Sequence, residues 1–331
     1  MPGCARSRRR LLRHGLVLTG FGLLAGCGVL PPQGQPTTRV LRIGHLARQD
    51  WPPARRQGFQ QGLLDRGYVE GENIVVEWRW AERTEQLDEL AAELVGLRVD
   101  LIVAASTLAI QAAMRATDRI PIVMAASGDP VGIGLVTSLG RPGGNVTGLS
   151  TLAVGLSAKR VEIFKETIPG MSRLGILWDP ASLDKEKDLR ESESAAQRLG
   201  VLPFALEIGD ARDIERLSDA IARERLDAIM TLMDSHPVQV AETAGQAGVP
   251  SMCEARGFTM VGGLMSYGPN PFIWYGRAVE FIDKIAKGAK PADLPVEQPT
   301  DVELVINMQT ARALGLSIPP SILAQAAELL Q

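Results

Sequence analysis

Val99-Asp100-Leu101-Ile102-Val103-Ala104-Ala105-Ser106-Thr107 places an acidic residue before five consecutive apolar ones and two hydroxyl residues after them. Such a short apolar run, bounded by polar residues, reads as a strand covered on both faces that leads into a helix. The arrangement returns in Leu226-Asp227-Ala228-Ile229-Met230-Thr231-Leu232-Met233-Asp234. Each copy follows a charged helical stretch, Glu85–Asp100 and Asp213–Asp227. Each is also followed by a proline-led apolar run, Pro121 lying 21 residues beyond Asp100 and Pro250 lying 23 beyond Asp227. A repeat of this size is far longer than a solenoid unit, so it describes two similar lobes.

Working outward, Val40–Leu46, Ile74–Trp80, Leu101–Ala105 and Ile122–Ala126 read as strands separated by amphipathic segments 53–66, 84–97 and 107–117. The second half offers Leu174–Trp178, Leu202–Ile208, Ala228–Leu232 and Pro250–Cys253, with helices near 183–199, 213–224 and 237–247. This alternation predicts an α/β protein with two similar doubly wound parallel-sheet lobes joined by a hinge. Lobe 1 is expected over 39–147 with part of 269–293 returning to it, and lobe 2 over 148–268 with part of 294–331 returning. The Gly/Pro-rich passage Gly140–Gly148 suits a hinge or crossover, and Gly262–Gly268 is a second glycine-rich passage before a helix at Pro271–Lys287. With a third link at Leu294–Pro299, the lobes would form a clamshell.

Composition narrows the class. The 331 residues are 45% hydrophobic and 22% charged, which fits a globular protein and excludes a multispan membrane protein. Residues 1–38 hold five arginines and no acid, leaving 30 basic against 38 acidic residues in the remainder, an unusual balance for a nucleic-acid binder. The arginines precede an apolar run, Leu16–Gly26, too short to span a bilayer comfortably, which is the layout of a removable export signal over 1–26. Leu24-Ala25-Gly26-Cys27 resembles the bacterial lipobox, making Cys27 the lipidated mature terminus and 27–38 a tether; an uncut signal anchor is the alternative. Ser7-Arg8-Arg9-Arg10-Leu11-Leu12-Arg13 also resembles a twin-arginine signal. Cys253 is then the one cysteine of the mature body beyond Cys27, so no disulfide is expected within it.

Ligands of open parallel sheets bind beyond the carboxyl ends of the strands. Those positions in lobe 1 include Arg48, Gln49, Asp50 and Trp51, then Ser106 and Thr107, then Ser127, Gly128 and Asp129. Lobe 2 offers Asp179 and Ser182, Asp234 and Ser235, and Glu254 and Arg256. Ser106-Thr107 opens a helix whose exposed amides suit a carboxylate, while Asp129 and Asp234 could accept from an ammonium group. Helix capping is the competing use of all four. Trp51, Trp178 and Tyr267 fall at expected strand ends, where flat faces could line an apolar pocket. The candidate ligand set is Gln49, Trp51, Ser106, Thr107, Asp129, Asp179, Asp234 and Tyr267, with no cofactor and no metal.

Ile43-Gly44, Gly67-Tyr68-Val69-Glu70-Gly71-Glu72-Asn73-Ile74, Gly128-Asp129-Pro130-Val131-Gly132, Pro142-Gly143-Gly144-Asn145-Val146-Thr147-Gly148, Gly262–Asn270 and Ala289–Glu297 together resemble the bacterial ABC-transporter substrate-binding proteins that include aromatic amino-acid and tryptophan binders. The resemblance covers nearly all of residues 39–331. It implies a type I periplasmic-binding-protein fold that closes around a small solute, here an aromatic or branched amino acid, and delivers it to a permease driven by an ATPase. Relatives commonly carry a histidine-proline pair where this chain has Arg48-Gln49-Asp50-Trp51-Pro52-Pro53.

The rival classes are an enzyme and a ligand-sensing lipoprotein that signals to a membrane receptor. No Walker A pattern appears, and Gly132-Ile133-Gly134 lacks the third glycine of a dinucleotide fingerprint. His45 and His236 have no partner at metal-ligand spacing. Asp234-Ser235-His236 are neighbours in one loop rather than side chains converging from separate elements, and Ser182-Leu183-Asp184-Lys185 fits Ser-x-x-Lys without its companion motifs. The sensor would share the fold.

Overall fold

A computed structural model describes residues 40–48, 53–151, 153–209, 211–232 and 236–331. The expected signal and tether, Cys27, Gln49, Trp51 and Asp234 lie outside the described residues.

The first half builds β1 (Leu41–Ala47), α1 (Pro53–Leu64), β2 (Ile74–Trp80), α2 (Leu87–Gly96), β3 (Leu101–Ala105), α3 (Thr107–Ala116), β4 (Ile122–Ala126) and β5 (Val146–Gly148). Its five strands are all parallel, in the order β2-β1-β3-β4-β5. β3 is central and every one of its residues is buried, which is why it reads as unbroken apolar sequence.

The chain then forms α4 (Ala153–Thr167), β6 (Arg173–Trp178), α5 (Leu183–Arg198), β7 (Leu202–Glu207), α6 (Ala211–Glu215), α7 (Leu217–Glu224), β8 (Ala228–Thr231), α8 (Pro237–Gln246), β9 (Ser251–Cys253), α9 (Gly257–Met260) and β10 (Met265–Pro269). It continues through α10 (Pro271–Ala286), β11 (Val302–Asn307), α11 (Met308–Ala313), α12 (Pro320–Leu323) and β12 (Glu328–Leu330). The second sheet runs β12-β11-β10-β9-β8-β6-β7, parallel except where β11 turns back antiparallel on β10.

α10 crosses back to the first lobe. Asn270 caps it, its Oδ1 accepting from the amides of Phe272 (3.0 Å) and Ile273 (3.4 Å), and Pro271 fills the first turn, where no N–H is needed. Trp274, Ala278, Phe281 and Ile282 recur at helical spacing and bury against Phe59 and Leu63 of α1 and Ile43 of β1. The α1–α10 crossing is close enough that a Cβ on Gly58 would fall 2.1 Å from the Phe272 carbonyl oxygen. The opposite face of this sheet packs on α2 and α3 through Leu94, Ile110 and Ala113. In the second lobe, α4, α5 and the C-terminal helices cover one face and α6 to α9 the other.

Several expectations need correcting. Gly140–Gly148 is not itself the crossover, because its last residues form β5 and the chain leaves the first lobe just afterwards. Gly148 is required there by proximity: at φ +128° a Cβ would sit 2.3 Å from the Met124 carbonyl oxygen. Gly262–Gly268 contains a strand, β10, whose Gly268 lets the backbone approach the Glu254 carbonyl oxygen, 2.1 Å from where a Cβ would be. The helix expected at 84–97 opens with a separate 3-10 turn, Thr84–Gln86. The one expected at 213–224 breaks in two at Arg216, where α7 begins a new hydrogen-bonded run.

Candidate functional site

The two lobes are linked at three points: after β5, between β10 and α10, and between Glu297 and β11. Glu297 still pairs with Leu149 of the first lobe, while Val302 starts a strand of the second. Between the lobes lies a cleft with a cavity of about 70 Å³. Its walls come from the carboxyl ends of strands on both sides: Arg48 after β1, Ser106 and Thr107 after β3, Ser127 and Gly128 after β4, Asp179 after β6, Lys185 on α5, and Glu254 after β9.

On the first wall α3 points its N-terminus at the cavity. Ser106 caps it, Oγ accepting from the Ala109 amide at 3.2 Å, so the capping use is realised while the residue still lines the cleft. Thr107 is 4% exposed beside it. Ser127 is 2% exposed, and its Oγ has no hydrogen-bond partner among the described residues. A buried hydroxyl on a cavity wall with nothing to bond is a place where a ligand atom recovers a desolvation cost.

The second wall is charged. Asp179 is buried, accepts from the Ala181 amide at 2.9 Å through Oδ1, and pairs through Oδ2 with Arg48 across the cleft. Asp184 accepts from the Ser182 hydroxyl at 2.8 Å. Behind them Glu254 is held by two cations, Arg160 Nη2 at 3.3 Å and Lys185 Nζ at 3.5 Å. Arg160 is almost wholly buried, and its Nε donates to the Tyr267 carbonyl at 2.8 Å. Lys185 also reaches Asp188 Oδ2 at 3.3 Å, and Asp188 accepts from Ser157 Oγ at 2.9 Å. Burial works against the Lys185 ammonium, but Glu254, Asp188 and Asp184 outweigh it and hold Lys185 protonated well above the usual lysine range. Burial pushes the Asp188 carboxyl up, with Lys185 and Arg160 opposing.

Of the candidate residues, Ser106, Thr107 and Asp179 meet on the cleft walls. Asp129 does not line the cavity: one oxygen accepts from the Gly132 amide at 2.9 Å, and the other pairs at 2.9 Å with Lys187 of the opposite lobe. Burial would raise its pKa, but those two donors hold the carboxyl below its usual range. Tyr267 also stays off the cavity wall, since its ring packs with Trp178 against the core of its own lobe. Arg160 and Lys187 escape the sequence reading. The usable signal for Arg160 is its place on the face of α4 that carries Ser157, Val161 and Phe164, all of which become buried. Among the described residues no group of three or more His, Cys, Asp or Glu is arranged to hold a metal ion, and no helix is long and apolar enough to cross a membrane.

Known proteins share this sequence pattern and fold. A curated tyrosine-binding protein from Clostridioides difficile (strain R20291) is 27% identical over 268 residues, 79% of this chain and 76% of its own. The crystal structure of an ABC domain in complex with L-Trp from Streptococcus pneumoniae aligns with TM-score 0.80 at 27% identity, covering 88% of this chain and 99% of that one. The ligand-free, open structure of a substrate binding protein with adhesive properties from Clostridium difficile aligns with TM-score 0.63 at 26% identity, over 88% and 100% of the two chains. The family model described as ABC transporter substrate binding protein matches residues 47–330. The chain therefore belongs to the ABC transporter substrate binding protein family and captures a small solute between two lobes for delivery to a membrane permease.

Proposed function

We propose that the solute is an amino acid, aromatic or branched, and that the protein holds it from the outer face of a membrane through a lipid on Cys27. The observation that carries the solute class is the asymmetry of the cleft. One wall offers a helix N-terminus with Ser106, Thr107 and the unpartnered Ser127 hydroxyl, a set suited to a carboxylate. The other carries Asp179, Asp184 and Glu254; Arg160 and Lys185 already hold Glu254 and Arg48 holds Asp179, so an ammonium group is received by Asp184 and by Asp179 where the ligand displaces Arg48. A zwitterion satisfies both at once, and only when the lobes are together, so binding energy is tied to closure. The relatives named for tyrosine and for bound L-Trp support this choice. Gln49, Trp51 and Asp234 remain further proposed contacts from their sequence positions.

The cavity of about 70 Å³ is well below the roughly 300–1,000 Å³ of ordinary ligand pockets. The lobes of this structure stand in a closed arrangement, and an amino acid enters after they part. The greater likeness to the L-Trp complex than to the ligand-free, open structure, at nearly equal identity, supports that reading.

Calorimetric titration of residues 28–331 tests the solute. L-tyrosine, L-tryptophan or L-leucine should bind, whereas the matching decarboxylated amine and deaminated acid should each bind at least about a hundredfold more weakly, because each leaves one wall unpaired. Equal binding of the amine alone would remove the zwitterion from the argument. The anchor is tested by metabolic labelling with a radioactive fatty acid: Cys27→Ser should lose the label, and a labelled serine variant would refute the assignment.

A further inference from the structure

A second cavity lies outside the solute cleft. It has a volume of about 390 Å³ and sits where the chain passes between lobes for the second and third times. Pro269 and Asn270 on one side belong to the passage from β10 to α10, and Gln298 to Asp301 on the other to the passage into β11. Trp274, Ile273, Pro269 and Pro299 give it apolar surface. Trp274 is 6% exposed, and its indole N–H has no acceptor among the described residues.

The polar part of the wall is one-sided. Arg277 is already engaged: Nε and Nη2 both donate to Glu297 Oε2, at 3.0 and 2.6 Å, and Nη1 lies 3.6 Å from Glu280. Asp301, exposed, meets no cation among the described residues and accepts from Thr300 Oγ1 at 3.3 Å. Glu297 and Asp301 against Arg277 leave a net negative wall. An anion is repelled there, whereas an ammonium group reaches Asp301 and the remaining oxygen of Glu297 while an attached hydrocarbon ring rests on Trp274, Ile273 and the prolines.

We propose that this cavity is a second binding site, for a small amphipathic amine, and that its occupancy is coupled to the rotation of the lobes. The coupling follows from construction. Two separate inter-lobe passages form the walls, so a rotation that opens the cleft moves one wall against the other. A ligand fitted to the present spacing then favours the closed arrangement.

The test uses cyclohexylmethylamine as the probe and cyclohexanecarboxylate as its charge-reversed counterpart, titrated into residues 28–331 and followed by ligand-observed NMR. The amine should bind at least about tenfold more tightly than the carboxylate. Ile273→Trp, which fills the cavity from an exposed position, and Asp301→Lys, which reverses its charge, should each weaken the amine by about tenfold or more. Neither residue touches the solute cleft, so both variants should retain the wild-type melting temperature and amino-acid affinity. Small-angle scattering at saturating amine should move toward the closed form. Absence of amine binding, equal binding of the carboxylate, or amine binding unchanged in both variants would overturn the site. Tight binding with an unchanged scattering profile would overturn the coupling.

Discussion

Arg48 and Asp179 occupy the same position in the two lobes, and the cleft brings them into contact. Ile43 pairs with Leu101 as Leu174 pairs with Ala228, and five residues beyond Ile43 and Leu174 stand Arg48 and Asp179. Equivalent loops of two similar lobes face each other across the cleft, so a residue in one meets its counterpart in the other. Like charges there would push the lobes apart, whereas the present opposite pair draws them together.

Arg48→Ala and Asp179→Ala should each favour the open form by about 1–2 kcal/mol, because each leaves a charge of the other unpaired in a mostly buried setting. The double variant should be no more open than the worse single one. Scattering and solute titration over the full cycle check this. Additive losses would show that the two residues act independently.

Ser127→Ala separates binding from folding. The hydroxyl is buried and has no partner among the described residues, so its removal should leave the melting temperature unchanged or slightly raised. Solute affinity should fall by roughly 0.5–1.5 kcal/mol, the worth of one hydrogen bond. A large drop in melting temperature would mean that the hydroxyl serves the fold instead.

His45 gives the fold an acid limit. Burial, with a smaller contribution from Arg56, lowers its pKa from 6.5 to about 3. The unfolded chain therefore takes up the proton first as pH falls. This contribution is complete above about pH 6.5 and declines by about 1.4 kcal/mol per pH unit down to about pH 3. Urea denaturation between pH 7 and pH 4 should show that slope, and His45→Phe should flatten it. An unchanged slope in the variant would assign the acid sensitivity to other groups.

Gly58→Ala should destabilise the protein by more than about 2 kcal/mol. Its methyl group would have to displace the Phe272 carbonyl, a backbone atom at the capped start of α10 that cannot swing aside as a side chain would. Gly96→Ala, with open space around the new methyl, serves as the control and should not destabilise in the same thermal melts.

Much of this fold is legible in the sequence because buried parallel strands leave an unambiguous trace. Ile74–Trp80, Leu101–Ala105 and Ile122–Ala126 run as their apolar stretches predict. A further trace of the repeat, unused in the sequence reading, lies in Arg42-Ile43-Gly44 and Arg173-Leu174-Gly175. In each lobe the Arg amide donates to the paired Asp, Asp100 at 2.8 Å and Asp227 at 2.9 Å. The site is less legible. Ser106 and Asp179 follow from the rule that ligands gather beyond strand ends. Asp129 obeys the same rule but is taken by Lys187, a residue 58 positions away on the other lobe. Arg160 and Lys185 lie on helices rather than strand-end loops, and only tertiary packing delivers them to Glu254. Tyr267 sits on a strand that glycines disguise as a loop.

The return of α10 to the first lobe sets an order on how this polypeptide can be made. Phe59 and Leu63 find their packing partners in Trp274, Phe281 and Ile282, more than two hundred residues later. The second lobe in turn waits for Leu304, Ile306 and Ile322. No leading fragment up to residue 268 contains a finished lobe. The chain therefore carries two incomplete apolar faces until α10 has emerged, and the second lobe stays open longer than the first, until β11 and α12 follow.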